Sequence, residues 1–204
     1  MKLIMDGQTV ADDVAGVAQA IDLAREKSAE VGRLIIEVTA DGASAEALLE
    51  TPPADDAGVV ELGVVTASKG AFLAETLHDA GDALDRVRID QKQAADLIDR
   101  GEVAEATASL GGVMEGWQAV RTVVEQASAL MGVDLHSFEV DGTGAAETIT
   151  GFASDLVGLR DAVSNEDWSA LGDVLAFDLE QRAESWKVLL DGLIAHARSG
   201  DEAG

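Results

Sequence analysis

The residues best suited to chemistry in this chain are a glutamate and a histidine three positions apart. Glu75 and His78 form an E-x-x-H pattern, which places a carboxylate and an imidazole on the same side of a helix. Di-iron carboxylate bundles take their ligands from two such patterns and two further glutamates. The other histidines, His136 and His196, have no glutamate three positions earlier. Half of such a site is therefore missing, and the sequence favours a solvent-exposed pair.

A second candidate is the glycine-rich turn Val140-Asp141-Gly142-Thr143-Gly144, which a predicted helix follows. Backbone N–H groups at a helix N-terminus can bind a phosphate where glycines leave them accessible. Glu147 stands where the third glycine of such a motif belongs, and no βαβ unit is predicted around the turn. We therefore interpret the segment as a capped turn.

A third candidate consists of Gly111, Gly112 and Gly116, which interrupt a predicted helix beside Trp117. Each interior glycine costs about 1 kcal/mol of stability relative to alanine, so three of them within one short stretch need an explanation. Close packing against another helix is one explanation. A flexible point or a ligand pocket is the alternative.

Two further observations belong with these glycines. Trp168 and Trp186 carry large rings that could occupy the space the glycines leave. Gln91 falls within an otherwise apolar helical stripe, where a single polar side chain can hydrogen-bond across a bundle and fix its register. Gln91 at the edge of the stripe is the alternative.

Several other kinds of site are excluded by composition. The chain has no cysteine, which excludes disulfides, thiolate nucleophiles and thiolate-bound metals. It also lacks the P-loop, nucleophile-elbow and H-E-x-x-H patterns. We assign no catalytic, cofactor-binding or metal-binding residue from the sequence and expect no cofactor.

The charge of the chain restricts its partners. There are 39 acidic and 14 basic residues among 204, for a formal net charge of -25. This charge repels phosphate backbones and anionic lipid surfaces at long range, so we expect neither nucleic acid nor a membrane as a partner. The sequence has no signal peptide and no apolar stretch of membrane-spanning length, so we expect a cytoplasmic protein.

Residues 1–67 alternate between strand and helix patterns. Asp6-Gly7 and Asp41-Gly42 predict tight turns, because such turns favour these residues at positive φ. The predicted elements are strands at 1–5, 8–10, 33–40 and 59–66, a helix at 12–31 and a helical turn at 43–50. This strand, strand, helix, strand, strand (ββαββ) order resembles the ubiquitin-like β-grasp fold, which serves many unrelated purposes.

Alternation also predicts which side chains of the two longer strands face the helix. The inner-face residues predicted in this way are Leu34, Ile36, Val38, Val60, Leu62 and Val64.

After Ser68 the chain carries apolar stripes with alternating spacings of three and four residues, typical of helices that pack seam against seam. The central stripe runs from Glu102 to Met131. A similar stripe between Ser68 and Gly101 predicts a second helix that folds back on the first as an antiparallel hairpin. An irregular connection over 133–142, a third helix ending near Val163 and a fourth helix over 164–198 follow.

The fourth helix should begin at the capping box Ser164-Asn165-Glu166-Asp167. Four amphipathic helices with short connections predict an antiparallel four-helix bundle over 68–204, with the last six residues disordered. The predicted fold is therefore α+β: a β-grasp-like module over 1–67 followed by this bundle.

Extensive helical apolar surface without a reactive constellation favours a non-enzymatic assembly, adaptor or chaperone-like protein. We expect it to act through sheet edges or a groove of the bundle, on a protein partner or on a second copy of itself as a homodimer. Two alternatives stay open. One is a small-ligand- or metal-dependent enzyme with its site inside the bundle near Gly112, Gly116 and the tryptophans. The other is an N-terminal module that binds a basic peptide.

Overall fold

The computed structural model describes residues 1–202 and shows an α+β protein, in which a five-stranded mixed sheet precedes a long helical part. The chain divides into two compact units, Met1–Phe72 and Leu73–Gly204. We call them the N-terminal unit and the helical unit. None of the helices within the described residues combines the length and apolar composition needed to cross a bilayer.

The N-terminal unit contains the sheet and two helices. Its elements are β1 (Lys2–Met5), β2 (Gln8–Ala11), α1 (Val17–Glu30), β3 (Arg33–Ala40), β4 (Ala43–Ser44), α2 (Ala47–Glu50) and β5 (Glu61–Ser68). The strand order across the sheet is β2-β1-β5-β3-β4. The central pair, β1 and β5, is parallel, and the other neighbours are antiparallel. The sequence predicts four strands and misses β4, which has only two residues.

The two aspartate-glycine turns of this unit are confirmed. Asp6 and Gly7 have φ values of 49° and 76°, and Asp41 and Gly42 have 49° and 83°. These positive φ values are those that tight hairpin turns require at both central positions. The turns fix the β1–β2 and β3–β4 hairpins.

Helix α1 begins five residues later than the sequence predicts. Gly16 is the N-cap of this helix and has an extended conformation. The backbone before Gly16 forms hydrogen bonds with other segments: the Val14 N–H, for example, donates to the Met1 carbonyl oxygen at 2.9 Å. Val14 is buried as predicted, but Val31 is exposed. Residues 12–16 are therefore a packed connection rather than the first helical turn.

One face of the sheet packs on α1 to form the core of the N-terminal unit. The buried residues of this core include Leu3, Val17, Ala20, Ile21, Ala24, Val38, Leu62 and Val64. The predicted inner face is wrong at Leu34, Ile36 and Val60, which are exposed. A register shift between Ile35 and Glu37 inserts an extra residue into β3, and such a bulge reverses the alternation on one side of itself. Val60 is exposed for a different reason, since it precedes β5, which begins at Glu61.

The helical unit contains three long helices and several shorter elements. The elements of this part of the chain are α3 (Lys69–Asp99), α4 (Val103–Met131), β6 (Glu139–Val140), β7 (Thr143–Gly144), α5 (Ala145–Ser164), α6 (Trp168–Asp173), a π-helical turn (Val174–Asp178) and α7 (Leu179–Glu202). Ser68 caps α3 as predicted, since its Oγ accepts a hydrogen bond from the Ala71 N–H at 3.1 Å.

The predicted seams of α3 and α4 are confirmed. All eight stripe residues of α3 are buried: Leu73, Leu77, Ala80, Leu84, Val87, Gln91, Ala94 and Ile98. The α4 stripe is buried from Ala106 to Ala127, and only its two ends, Val103 and Met131, are half-buried. Gly101 and Gly132 end the two helices with φ values of 76° and 73°, a conformation in which glycine avoids the Cβ clash. These seams join buried residues of α5, α6 and α7 in one core.

Three features of the C-terminal half differ from the prediction. The connection over 133–142 contains β6, which pairs with β7 as a small hairpin. The helix after α5 is capped by Asp167, whose carboxylate accepts from the Ala170 N–H at 3.0 Å, rather than by Ser164. Helix α7 continues through Glu202, past the end predicted near 198. Of the six residues predicted to be disordered, residues 203 and 204 lie outside the described part.

Candidate functional site

The E-x-x-H pair lies on the surface of α3. Glu75 and His78 are both exposed. Within residues 1–202, no group of three or more histidine, aspartate or glutamate side chains is placed to hold a metal ion. Among these described residues, none adds a third carboxylate or imidazole ligand to the pair.

The glycine-rich segment forms the β6–β7 hairpin turn. Asp141 and Gly142 occupy it with φ values of 51° and 80°, and Gly144 is the N-cap of α5. The Ala145 N–H, the first of the helix, donates to the Phe138 carbonyl oxygen at 2.9 Å. The segment thus has the geometry of a capped turn.

The three glycines of α4 have different surroundings. Gly111 and Gly112 are exposed, and a Cβ on either would meet nothing within 4 Å. A Cβ on Gly116 would lie 2.3 Å from Cγ2 of Val87 on α3. Gly116 therefore allows α3 and α4 to approach closely, whereas the other two are not explained by packing.

This difference predicts opposite effects of alanine at two of these positions. Gly112→Ala should stabilise the helical unit by about 0.5–1 kcal/mol, because alanine has the higher helix propensity and nothing opposes its methyl group. Gly116→Ala should destabilise it by about 1–3 kcal/mol, because Val87 must move. Urea denaturation of the two variants checks the pair, and equal effects would contradict the packing described here.

An aromatic cluster fills the core beside Gly116. The ring of Trp117 stacks on Phe152 at a centroid distance of 4.5 Å, and Trp186 meets each of them edge-on at 5.8 Å. Trp168, which is half-buried at the start of α6, is not part of this cluster. The tryptophans near the predicted interior site thus pack mainly on one another.

Gln91 connects this cluster to the surface of the helical unit. It is only 1% exposed, and its Oε1 accepts a hydrogen bond from the Trp117 Nε1–H at 3.3 Å. The hydrogen bond across the core that the sequence predicts is present. It also defines the amide orientation, because the indole nitrogen can only donate. The amide nitrogen, Nε2, is buried without a hydrogen-bond partner among the described residues.

Gln91 lines a groove of about 700 Å³ between α3 and the π-helical turn, which we call the α3–π groove. Its apolar walls are formed by Ile89, Ala95, Leu175, Ala176 and Phe177. Its charged walls are formed by Asp85, Arg88, Lys92, Asp96, Asp99 and Glu180. Two large apolar side chains at the groove are exposed to solvent, Ile89 by 57% and Phe177 by 69%.

The π-helical turn positions one wall of this groove. A π turn holds more residues than an α turn, because its hydrogen bonds run from i to i+5, and such turns often occur at functional sites. Leu171, Leu175 and Leu179 remain in the core at spacings of four residues. The wider turn accommodates these spacings and leaves Phe177 on the surface.

Ion pairs join α3 to α7 along the groove. Lys187 Nζ lies 2.7 Å from Asp85 Oδ2, and Asp85 Oδ1 lies 3.5 Å from Arg88 Nη1. Arg88 also donates to both carboxylate oxygens of Glu180, with Nε at 3.1 Å from Oε2. The Arg88–Glu180 pair therefore connects the two sides of the groove, and the Asp85–Lys187 pair connects the same two helices beside it.

The same ion pairs shift two pKa values. The hydrogen bond from Arg88 holds the pKa of Glu180 below its ordinary 4.5, and the one from Lys187 holds the pKa of Asp85 below its ordinary 3.8. A carboxylate with a lowered pKa stabilises the fold fully above its unfolded pKa. That contribution is lost as the pH falls through the lower pKa of the folded chain.

We therefore expect the melting temperature to fall between about pH 5 and pH 3, partly through these two groups. Each pair should contribute less than about 1 kcal/mol, because these side chains are partly exposed and screened by solvent. Glu180→Gln should make the fall shallower, whereas Glu115→Gln, on an exposed residue in the middle of α4, is the control and should follow the wild type. Parallel pH profiles for all three proteins would contradict the assignment.

Comparison with known proteins places this groove within a family. Residues 75–189 match a family model described as a domain of unknown function (DUF8042). The chain belongs to this family. The match spans more than half of the chain and includes every residue of the α3–π groove. No curated protein and no solved structure matches the chain.

Sequence reasoning identified Gln91 and missed the rest of the groove in this DUF8042 chain. Ile89 and Phe177 lie outside the predicted stripes. Their position was the signal from which the groove could have been predicted, because large apolar residues on a polar helix face often mark an interaction surface. Arg88, Asp85 and Glu180 carried no signal of their own in a chain with so many charged residues.

Proposed function

We propose that this DUF8042 chain is a cytoplasmic, non-enzymatic interaction protein that binds a segment of a partner protein in the α3–π groove. The observation that carries the proposal is the exposure of Ile89 and Phe177 beside a groove of about 700 Å³. Large exposed apolar side chains rimmed by charged residues are typical of protein interaction sites.

The proposed architecture follows from the same units. We propose that residues 1–67 form a β-grasp-like module, a reading supported by the order β2-β1-β5-β3-β4 with a parallel central pair and α1 on one face. We further propose that 68–204 form a four-helix bundle from α3, α4, α5 and the continuous α6–α7 segment, supported by the core these helices share. In this arrangement the bundle presents the groove.

The N-terminal sheet supports a second interaction, a homodimer. Leu34 and Ile36 on β3 and Val65 on the neighbouring β5 are each more than 40% exposed. We propose that two copies pack these residues together. The double variant Ile36→Asp and Val65→Asp should give a monomeric mass in light scattering where the wild type gives twice that mass. A wild type that is monomeric at high concentration would rule the homodimer out.

Site-specific photo-crosslinking tests the groove. A photoreactive phenylalanine analogue replaces Phe177 in the full chain, expressed in cells of the source organism. The matched control carries the same analogue at Val157, which is exposed on α5 and does not line the groove. We expect one defined protein to be crosslinked at position 177 and to be absent from the adducts at position 157. The same adducts at both positions, or none at 177, would refute it.

A further inference from the structure

The occupant of the α3–π groove can be characterised further from the groove's own chemistry, an inference that rests on the function proposed above. The groove contains one buried hydrogen-bond donor, apolar walls and an excess of acidic side chains. Each of these features restricts the chemistry of the bound group.

The donor is the amide nitrogen of Gln91. Its Oε1 accepts from Trp117, so Nε2 is the atom left without a partner within the described residues. Gln91 is the last of the causes that lower the pKa of Glu180, and the hydrogen bond from Arg88 is the largest. Nε2 therefore interacts weakly with that carboxylate and forms no well-directed hydrogen bond with it. A buried donor without a partner destabilises the folded chain. An occupant that supplies an acceptor at this position removes that cost.

The walls restrict the body of the occupant. Ile89 and Phe177 are exposed beside the groove, and Leu175 and Ala95 form its apolar floor. An apolar side chain that packs here would cover all four. The floor is therefore suited to a leucine- or phenylalanine-sized group rather than to a polar one.

The charges restrict what flanks that group. Four acidic and two basic side chains line the groove, and both basic ones are already paired, Arg88 with Glu180 and Lys92 with Asp96. Asp99 forms no ion pair with any residue in the described part of the chain. Basic groups beside the apolar anchor would meet this uncompensated charge, whereas a second copy of this chain, with 39 acidic and 14 basic residues, would bring mainly acidic side chains into the groove.

We propose that the α3–π groove binds a basic peptide segment of a protein partner. One apolar side chain of that segment lies between Ile89 and Phe177. On binding, the Gln91 side chain shifts so that its buried Nε2 donates a hydrogen bond to a backbone carbonyl of the segment, and lysine or arginine side chains lie beside Asp96 and Asp99. A groove open to solvent suits a peptide better than a small molecule, which proteins usually enclose.

Two model peptides test this chemistry on the full chain. The first probe is an acetylated, amidated hexapeptide of leucine and lysine, and the second has glutamate in place of every lysine. Nuclear magnetic resonance follows the side-chain amide of Gln91 during each titration. We expect the lysine peptide to shift this resonance and to bind at least about 10-fold more tightly than the glutamate peptide. Its affinity should fall as salt is raised from about 0.05 to 0.5 M.

Variants identify the groups responsible. Gln91→Met removes the donor at similar volume and should weaken binding of the lysine peptide by about 10-fold. Asp99→Lys changes only an exposed charge, so folding is not at risk, and it should reduce or reverse the preference between the two peptides. Equal affinity for both peptides, or an unchanged preference in Asp99→Lys, would overturn the inference.

The crosslinking experiment distinguishes the two levels of the proposal. A crosslinked partner segment without basic residues would agree with the proposed function but would overturn the inference that the groove binds a basic peptide. Absence of any adduct at position 177 would overturn the function itself.

Discussion

Trp117→Ala is expected to destabilise the helical unit by about 3–5 kcal/mol, the largest stability change that we anticipate for one substitution. The side chain is fully buried, stacks on Phe152, meets Trp186 edge-on and donates to Gln91. Alanine would leave a large cavity and a buried amide oxygen without its donor. Natural domains are stable by only about 5–15 kcal/mol, so this loss is a large fraction of the total stability.

Urea denaturation followed by circular dichroism measures this change, because most of the helical signal comes from the helical unit. Trp168→Ala is the matched control, since Trp168 is half-buried and does not belong to the aromatic cluster. The control should lose clearly less stability than Trp117→Ala. Equal losses in the two variants would show that the aromatic cluster is not central to the core.

The double variant Ile89→Asp and Phe177→Asp is expected to weaken partner binding by at least about 100-fold without loss of stability. Central apolar anchors of an interface each contribute about 2 kcal/mol or more. The added carboxylates would lie on the surface of the helical unit, where they meet no buried residue. Both native side chains are exposed, so the fold does not depend on them.

Fluorescence anisotropy with a labelled form of the partner segment found by crosslinking measures this affinity. Val157→Asp is the control, because it places the same charge on an exposed apolar position of α5. Its affinity should equal that of the wild type. A double variant that binds as tightly as the control would show that the groove does not hold the partner.

The long seams were predictable from the sequence because helix packing repeats itself. Apolar residues at spacings of three and four residues keep one stripe on one side of a helix, and water exclusion then decides its orientation. Each stripe residue from Leu73 to Ile98 is therefore buried as predicted. Tight turns at Asp6-Gly7 and Asp41-Gly42 were predictable for an equally local reason, the positive φ at both positions.

Local irregularities were not predictable by the same reasoning. The bulge in β3 exposes Leu34 and Ile36, and no residue type in Arg33–Ala40 marks where the extra residue enters. The start of α1 at Val17 depends on backbone hydrogen bonds to distant segments, which a periodic pattern does not contain. Both errors arise where tertiary contacts override alternation or helix propensity.

The α3–π groove was predictable in part from the sequence. The stripe of the last helix has consecutive spacings of four at Leu171, Leu175 and Leu179, and continued spacings of four drift away from a 3.6-residue period. A π turn compensates for that drift, so this signal was present in the sequence. That Phe177 and Ile89 line the same groove was not predictable, because it depends on how two elements distant in sequence pack.

Hydrogen–deuterium exchange on the full chain, with and without the crosslinked partner, tests the central claim most directly. We expect slower exchange on binding in Asp85–Asp99 of α3 and in the π-helical turn with the residues up to Glu180, and no change in α5. Protection confined to segments outside the α3–π groove would contradict the claim that this groove is where the protein binds its partner.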